Sequence, residues 1–394
     1  MASIEATGEY FPQRAAANAV VHSGFAVMGI VTILLGPILP ILIARWSLSD
    51  ERAGLFFTVQ FCGNLIGVAS LGALLSWRGY RTTLGAGYVV TALGVAALAF
   101  GGENIALFAT AAFGYGLGLV LSASNLWAAE SFPARRAAAV SLLNVSWGIG
   151  AIACAPLVMF AQRAHKLALL LLCVAAASLL IALAIAAMDI EPRSPRAENA
   201  NAPATAAIGA RTALVLGGLF FLYVGTENSI GGWGAAFAKR VGVGAGSGNV
   251  WELAPMFFWL GLIAGRALVI GLLHRIGEKT FVIAGLILAA LANGALLWVT
   301  GFRAAIICLV VIGVGLASVY PLLVASMVGY YGTRARRGGN ILFGLASVGG
   351  ATMPWAVGFI STHAASLRAG LLAPLAGCVV MLGLQLALPK PAMI

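Results

Sequence analysis

Charged residues are scarce in this chain. Lys, Arg, Asp and Glu make up 9% of its 394 residues, whereas a soluble globular protein carries about 25%. So few charges cannot cover a water-facing surface of ordinary size, and hydrophobic residues make up 61% of the chain. The composition therefore excludes an ordinary soluble protein and predicts one whose apolar residues face lipid.

Motifs of enzyme chemistry are also missing. The sequence contains no HExxH, GxSxG or Walker phosphate-binding loop. Its four histidines are scattered, and its five cysteines lie singly in apolar runs without the spacing of a metal site or a disulfide framework. We therefore expect neither an enzyme nor a bound cofactor, and any movement of a solute would be passive or driven by an ion gradient.

Apolar runs of about 20 residues, the length that crosses a bilayer, recur along the whole chain. A polar, Pro-containing segment, 189–211, interrupts them once. The pattern predicts an all-α membrane protein with twelve transmembrane helices in two pseudo-symmetric six-helix bundles, 1–188 and 212–394, joined by a cytoplasmic linker. The predicted spans are 17–44, 53–76, 82–100, 104–129, 138–161, 167–188, 212–236, 250–273, 280–299, 304–329, 339–361 and 367–388.

The basic residues indicate an orientation. If the N-terminus lies in the cytoplasm, the loops on that side hold more Lys and Arg than the external loops. We therefore predict a multi-pass protein of the cell (inner) membrane with both termini cytoplasmic. The net charge of +11 is then explained by loop residues at the headgroups, not by nucleic-acid binding. The expected partners are the lipid bilayer and a small-molecule substrate, and we expect a monomer.

The two predicted halves carry similar turns. Arg78-Gly79-Tyr80-Arg81 follows the second span and His274–Lys279 follows the eighth, and each is short, basic and contains glycine. The stretch Gly72–Arg81 resembles the loop signature Gly-x-x-x-Asp-x-x-Gly-x-Arg of the major facilitator superfamily, with Ser76 where the family has Asp. This resemblance extends over nearly the whole chain, and it implies a secondary transporter whose two bundles rock around a central solute site.

Three further stretches resemble the fucose/galactose/glucose symporter branch of that superfamily. They are Tyr223–Trp233, Phe258–Arg266, and Tyr320-Pro321 followed by Gly349–Pro354. Asn125 matches an Asn of the branch, but the acids that the branch carries in its first and fourth helices are absent here. The resemblance implies alternating-access transport of a small neutral polar solute, a hexose-like sugar above all, with H+ or Na+ as the candidate coupling ion.

Ionisable residues inside membrane spans are costly, and they usually mark functional sites. Glu227, in the seventh span, is the foremost candidate, and its counterpart in the branch is also Glu. A carboxylate there can exchange a proton, ligate Na+ or accept hydrogen bonds from sugar hydroxyls; the alternative is a structural carboxylate satisfied by neighbouring helices. His22 is a second coupling-ion candidate, and its alternative is an ordinary polar residue of the first span.

Charged residues near the cytoplasmic helix ends are candidates for a gate. Glu130 would form an ion pair with the nearby Arg135 or Arg136. Arg266, inside the eighth span, needs an anionic or carbonyl partner, and a substrate contact is the alternative to its gate role. The predicted gate residues are Arg78, Arg81, Glu130 and Arg266.

Amide and indole side chains recur within the predicted spans. Amides donate to and accept from sugar hydroxyls, and flat rings cover the apolar C–H face of a sugar. Each alone is also explained by helix–helix hydrogen bonding or by a place at the membrane interface, but together they predict a polar, nearly uncharged cavity. Proton-coupled efflux of drugs or other amphiphiles by the same fold stays open as the alternative. The predicted substrate-binding residues are Gln60, Asn64, Asn125, Asn144, Trp147, Glu227, Asn228, Trp233, Trp259, Asn340 and Trp355.

Overall fold

Helices form nearly all of the structure, a computed structural model that describes residues 2–192, 210–242, 250–272, 277–331 and 335–388. Within these residues ten helical stretches are long and apolar enough to cross a membrane. The helices are α1 Ala2–Ile33, α2 Leu35–Trp46, α3 Asp50–Phe100, α4 Glu103–Ser131, α5 Arg136–Arg163, α6 Leu167–Ala186, α7 Ala210–Val241, α8 Ala254–Leu272, α9 Glu278–Leu296, α10 Phe302–Leu316, α11 Val319–Tyr331, α12 Ala335–His363, α13 Leu367–Gly370 and α14 Leu372–Ala387.

These helices confirm the predicted all-α membrane fold. Each predicted span corresponds to one helix, to two consecutive helices, or to one arm of α3. The first span comprises α1 and α2, the tenth comprises α10 and α11, and the twelfth comprises α13 and α14. The second and third spans are the two arms of α3 on either side of Gly79.

Prolines account for the interruptions inside three spans. A proline ring clashes with the carbonyl four residues earlier and removes one helical hydrogen bond. Four residues before Pro37 lies Ile33, the last residue of α1, and four residues before Pro374 lies Gly370, the last residue of α13. Four residues before Pro321 lies Ala317, the first residue after α10, which ends at Leu316. These three interruptions thus coincide with prolines, whereas Pro40, Pro156 and Pro354 lie inside unbroken helices.

The turn between the arms of α3 requires glycine and is held by the start of the linker. Gly79 has a φ of 73°, a conformation that glycine adopts without steric cost. The Arg81 N–H donates to the Glu191 carboxylate over 2.9 Å, and the Trp127 indole N–H donates to the Ile190 carbonyl over 2.6 Å. The first linker residues are thus fastened to the helices that precede them.

Contacts divide the chain into two compact units. The first unit comprises Met1–Leu34 and Cys62–Ala197, and the second comprises Leu35–Phe61 and Glu198–Ile394. The predicted bundle boundaries, 1–188 and 212–394, stay a prediction.

Glycines allow close packing of α1 against α5 in the first unit. A Cβ atom on Gly150 would meet the Ala26 carbonyl, and one on Gly29 would meet the Trp147 carbonyl. The two backbones therefore lie in direct contact, which is the usual use of small residues between membrane helices.

An ion pair holds the segment Leu35–Phe61 to the rest of the second unit. The Arg240 guanidinium donates to both oxygens of Asp50, over 2.8 and 2.5 Å. The Ser361 hydroxyl donates to the same carboxylate over 2.5 Å, and the Glu51 N–H donates to the Thr362 hydroxyl over 2.9 Å. The start of α3 is thus joined to the ends of α7 and α12.

We expect Gly150→Ala to destabilise the first unit, because the added methyl group would overlap the backbone of α1. The cost of such overpacking is about 1–3 kcal/mol. Gly85→Ala is the matched control, since a Cβ atom there meets nothing within 4 Å. Thermal unfolding in detergent, followed by size-exclusion chromatography, should show a lower midpoint for Gly150→Ala and an unchanged midpoint for Gly85→Ala. Equal midpoints in the two variants would contradict the close contact.

Candidate functional site

Glu227, Tyr223, Arg266 and Tyr320 lie together in the second unit, and we call them the charge cluster. The Tyr223 hydroxyl donates to Glu227 Oε1 over 2.7 Å. Arg266 Nη2 lies 3.8 Å from the same oxygen, and the exposed fractions of the Arg266 and Glu227 side chains are 35% and 12%. The carboxylate is therefore enclosed by protein groups, while the guanidinium keeps an open side.

Aromatic rings form one wall of the charge cluster. The rings of Tyr223 and Tyr320 stack with centroids 5.4 Å apart, and Phe220 meets Tyr320 edge-on at 5.9 Å. Phe220 also meets Phe343 edge-on at 5.7 Å. The cluster thus combines a carboxylate, a guanidinium and flat apolar surface from α7, α8, α11 and α12.

Helical spacing on α7 explains how the cluster is assembled. Tyr223 and Glu227 are four residues apart, so their side chains lie on one face of the helix. Asn228, the next residue, donates from its side-chain Nδ2 to the Val224 carbonyl of its own helix over 2.9 Å. Ser229 likewise donates to the Gly225 carbonyl over 2.7 Å. Asn228 and Ser229 are thus bonded within their own helix, whereas Glu227 has its partners in Tyr223 and in Arg266 of α8.

Glu227 is the anionic partner that we expected a buried Arg266 to need. The nearest carboxylate oxygen lies at 3.8 Å, and Arg266 Nε is buried without a hydrogen bond to any described residue. Such a guanidinium retains donors for a further acceptor. This favours the substrate-contact alternative for Arg266, while its gate role stays a prediction.

A second group of predicted residues meets in the first unit, and we call it the amide cluster. Asn144 Nδ2 donates to Asn125 Oδ1 over 3.1 Å, which joins α5 to α4. The Trp147 indole N–H donates to the Thr32 hydroxyl of α1 over 3.3 Å. These contacts bring together neutral polar groups of three helices, and the exposed Asn144 keeps its carbonyl oxygen for another donor.

His22 is joined to the same helices. Its Nδ1 lies 2.8 Å from the Ser146 hydroxyl of α5. The hydrogen bond explains His22 as a satisfied polar residue of α1 and leaves Nε2 for another partner. Its coupling role stays a prediction.

Three predicted tryptophans lie in the second unit with different degrees of burial. Trp233 is fully buried, and its indole N–H donates to the Pro354 carbonyl over 2.9 Å. Trp259 is buried edge-on against Phe258. Trp355 is half-buried beside Phe359. Of these three, Trp355 alone has a substantial part of its ring exposed, because Trp233 and Trp259 are buried against neighbouring side chains.

The remaining predicted residues are spread over several places. On α3, Gln60 is buried and Asn64 is half-buried. Arg78 is exposed and lies over the Trp77 ring at 4.3 Å. Glu130 is half-buried at the end of α4, and among the described residues no ion pair joins it to Arg135 or Arg136. The Asn340 side chain lies outside the described residues.

Sequence reasoning missed the partners of the predicted residues. Tyr223, Tyr320, Thr32 and Ser146 were not among its binding candidates. Spacing alone could have found Tyr223, because it lies four residues before Glu227. Tyr320 stood only in a stretch that resembles the symporter branch, and Thr32 and Ser146 carried no local signal of a contact, since their partners lie far away in the chain. Among the described residues, no group of three His, Cys, Asp or Glu side chains is placed to hold a metal ion.

Ten helical stretches among the described residues are long and apolar enough to cross a membrane, and polar clusters lie between them, which defines a polytopic membrane protein. A sequence model of the Major Facilitator Superfamily matches residues 21–339. The chain belongs to the major facilitator superfamily, a family of membrane transporters rather than enzymes. No curated protein sequence matches the chain.

Solved transporter structures share this fold. A bacterial homologue of the human lysosomal transporter Spinster, inward-facing and occupied, has a TM-score of 0.74 at 16% identity, covering 96% of this chain and 97% of that one. A mutant of the nucleoside transporter NupG has 0.75 at 13% identity, covering 96% and 100%. A variant of the E. coli fucose:proton symporter FucP has 0.62 at 18% identity, covering 95% and 98%. At these identities the likeness shows the fold alone.

We expect Arg266→Met to destabilise the second unit, because Glu227 would lose its cation. Breaking a fully buried pair costs about 3–5 kcal/mol, and the partial exposure of Arg266 reduces that cost. The double variant Glu227→Gln with Arg266→Met removes both charges and should recover much of the loss. Thermal unfolding of the wild type, both single variants and the double variant gives the coupling. Additive effects of the two changes would show that the pair does not interact.

Proposed function

We propose that the chain is a secondary active transporter of a small, neutral, hydroxyl-rich solute, a hexose above all, and that the charge cluster binds the solute and couples its movement to a cation gradient. The observation that carries the proposal is the contact of Glu227 with Tyr223 and Arg266 inside an apolar unit. The transporter would act as a monomer in the cell (inner) membrane, with both termini cytoplasmic.

The charge cluster suits a sugar better than an apolar drug. A guanidinium offers several N–H donors, and a carboxylate oxygen accepts O–H donors, so adjacent hydroxyls of one ring find both partners. The stacked rings of Tyr223 and Tyr320 offer a surface for the C–H face of the sugar. The amide cluster of the first unit supplies further neutral groups of the kind that bind hydroxyls.

The likeness to FucP and NupG supports the same solute class. The former is named as a fucose:proton symporter and the latter as a nucleoside transporter. A nucleoside carries a hydroxylated sugar and a flat base, which the aromatic wall would also accept. A nucleoside is therefore the second candidate substrate.

Glu227 is the proposed coupling residue, with H+ first and Na+ second as the ion. Its Oε1 contacts both Tyr223 and Arg266, which leaves Oε2 for the ion or for a solute hydroxyl. Protonation of Glu227 would remove its attraction for Arg266 and free the guanidinium for the solute. Solute and proton would then enter and leave the cluster together, which is the requirement for symport.

We expect purified protein in liposomes to exchange labelled hexose for unlabelled hexose. Counterflow should saturate, and other hexoses should compete more strongly than linear polyols, because a ring presents both a stacking face and fixed hydroxyls. The assay should compare glucose, galactose, fucose, the linear polyol sorbitol and uridine, with empty liposomes as the control. Flux of a hydrophobic cation without any hexose or nucleoside exchange would instead support drug efflux.

We expect Glu227→Gln to abolish accumulation driven by a proton gradient while counterflow persists, because an amide keeps a hydrogen-bonding shape but cannot exchange a proton. Accumulation should be measured under imposed H+ and Na+ gradients separately. Glu278→Gln is the matched control, since Glu278 is an exposed carboxylate in the first turn of α9. Undiminished accumulation by Glu227→Gln would remove Glu227 from the coupling role.

A further inference from the structure

A cavity lies entirely within the first unit, where α4 ends and α5 begins. Its volume is about 210 Å³. Trp127 and Leu143, with exposed fractions of 5% and 1%, form its buried part, and the exposed Phe132 and Arg135 stand at its opening. None of these residues belongs to the charge cluster or the amide cluster.

A tight turn places Arg135, the cationic residue that lines this cavity, between α4 and α5. Phe132 ends α4, and Pro133–Arg135 form a single 3-10 turn before α5 begins at Arg136. Among the described residues no carboxylate forms an ion pair with Arg135, and no acidic side chain lines the cavity. The first turn of α5 adds the positive end of its helix dipole. The cavity is therefore electropositive at its opening.

The walls favour a flat apolar group. Trp127 and Phe132 meet edge-on with ring centroids 6.3 Å apart, and they form two sides of a corner. The indole N–H of Trp127 is already bonded to the Ile190 carbonyl, so Trp127 offers the cavity only its apolar ring. Such a corner suits a planar ring that stacks on one aromatic side chain and meets the other edge-on.

Two further polar groups line the cavity from α1. Asn18 and His22 are four residues apart, and both line it. Ser146 contacts His22 Nδ1, which leaves Nε2 for a ligand. When the serine hydroxyl donates to Nδ1, the imidazole Nε2–H and the Asn18 amide are both donors. The donors available in the cavity thus suit an acceptor-rich anionic group.

The volume limits the size of the ligand. A cavity of about 150 Å³ holds one benzene molecule, and a water molecule occupies about 30 Å³ in the liquid. The cavity therefore has room for one six-membered ring and a group about the size of two waters, such as a carboxylate. It is too small for the acyl chain of a membrane lipid.

We propose that this cavity is a binding site for a small aromatic carboxylate of the benzoate type. The ring lies in the corner of Trp127 and Phe132, and the carboxylate accepts hydrogen bonds from Arg135 and from the polar groups of α1. The ligand bridges α1 to the junction of α4 and α5, so its binding stabilises the first unit. This site does not depend on the transport proposal, because it shares no residue with the charge cluster.

Binding of 4-fluorobenzoate, followed by fluorine NMR on purified protein in zwitterionic nanodiscs, tests the site. We expect saturable binding, at least about tenfold weaker in Arg135→Gln because a charged hydrogen bond is lost. Arg136→Gln is the matched control, since Arg136 is the adjacent exposed arginine and does not line the cavity. It should change the affinity less than about twofold, because it loses no contact with the ligand. Neutral 4-fluorobenzamide should bind at least about tenfold more weakly than the benzoate, since it lacks the charge that Arg135 attracts.

A second variant tests whether a loss of binding in Arg135→Gln reflects a folding defect rather than the loss of the site. Ala139→Phe fills the cavity without removing a charge, and it should also abolish binding while the protein still elutes as a single folded species. Glu227→Gln should bind 4-fluorobenzoate as the wild type does. Equal losses in Arg135→Gln and Arg136→Gln, unchanged binding in Ala139→Phe, or loss in Glu227→Gln would overturn the proposal. Tighter binding of dodecyl phosphate than of benzoate would assign the cavity to lipid-like anions and would overturn it as well.

Discussion

The free-energy cost of moving a charged group out of water is the main constraint on the second unit. Each ion removed from water without a partner costs several kcal/mol, and Glu227 and Arg266 both lie within long apolar stretches of their helices. Their mutual contact, with the Tyr223 hydroxyl, offsets that cost. Because the Arg266 side chain stays partly open, the pair is also available to a polar ligand. The contact between Glu227 and Arg266 thus offsets the cost of placing both charges among apolar residues, and the open side of Arg266 leaves the pair accessible to a ligand.

Hydrogen bonds between polar side chains join the helices of the first unit. Asn144 donates to Asn125, Trp147 donates to Thr32, and His22 contacts Ser146. All of these contacts join different helices, and none requires a full charge. One unit therefore offers neutral hydrogen-bonding groups, and the other offers a coupled acid and base. A transporter that moves a neutral solute with a cation needs both kinds of chemistry.

Much of the fold follows from local rules. A run of about 20 apolar residues must form a helix in lipid, because only a helix or a closed barrel satisfies its backbone there. The interruption at Ile33 was foreseeable from Pro37, four residues later. The site was less accessible to prediction. Arg266 was a candidate for a gate, a role that stays a prediction, and its contact with Glu227 was not readable from the sequence because Glu227 lies on a different helix, α7.

The sequence by itself determined the membrane class, the helical spans and the interruption of the first span before Pro37, and it made Glu227 the foremost site candidate. These depend on composition and on spacing within one helix, which are readable without any tertiary contact. Only the tertiary structure decided which polar residues meet, which tryptophans are buried, and that Arg135 and His22 line one cavity. Those outcomes depend on how helices rotate against each other, and that rotation is set by packing between residues that are distant in the chain.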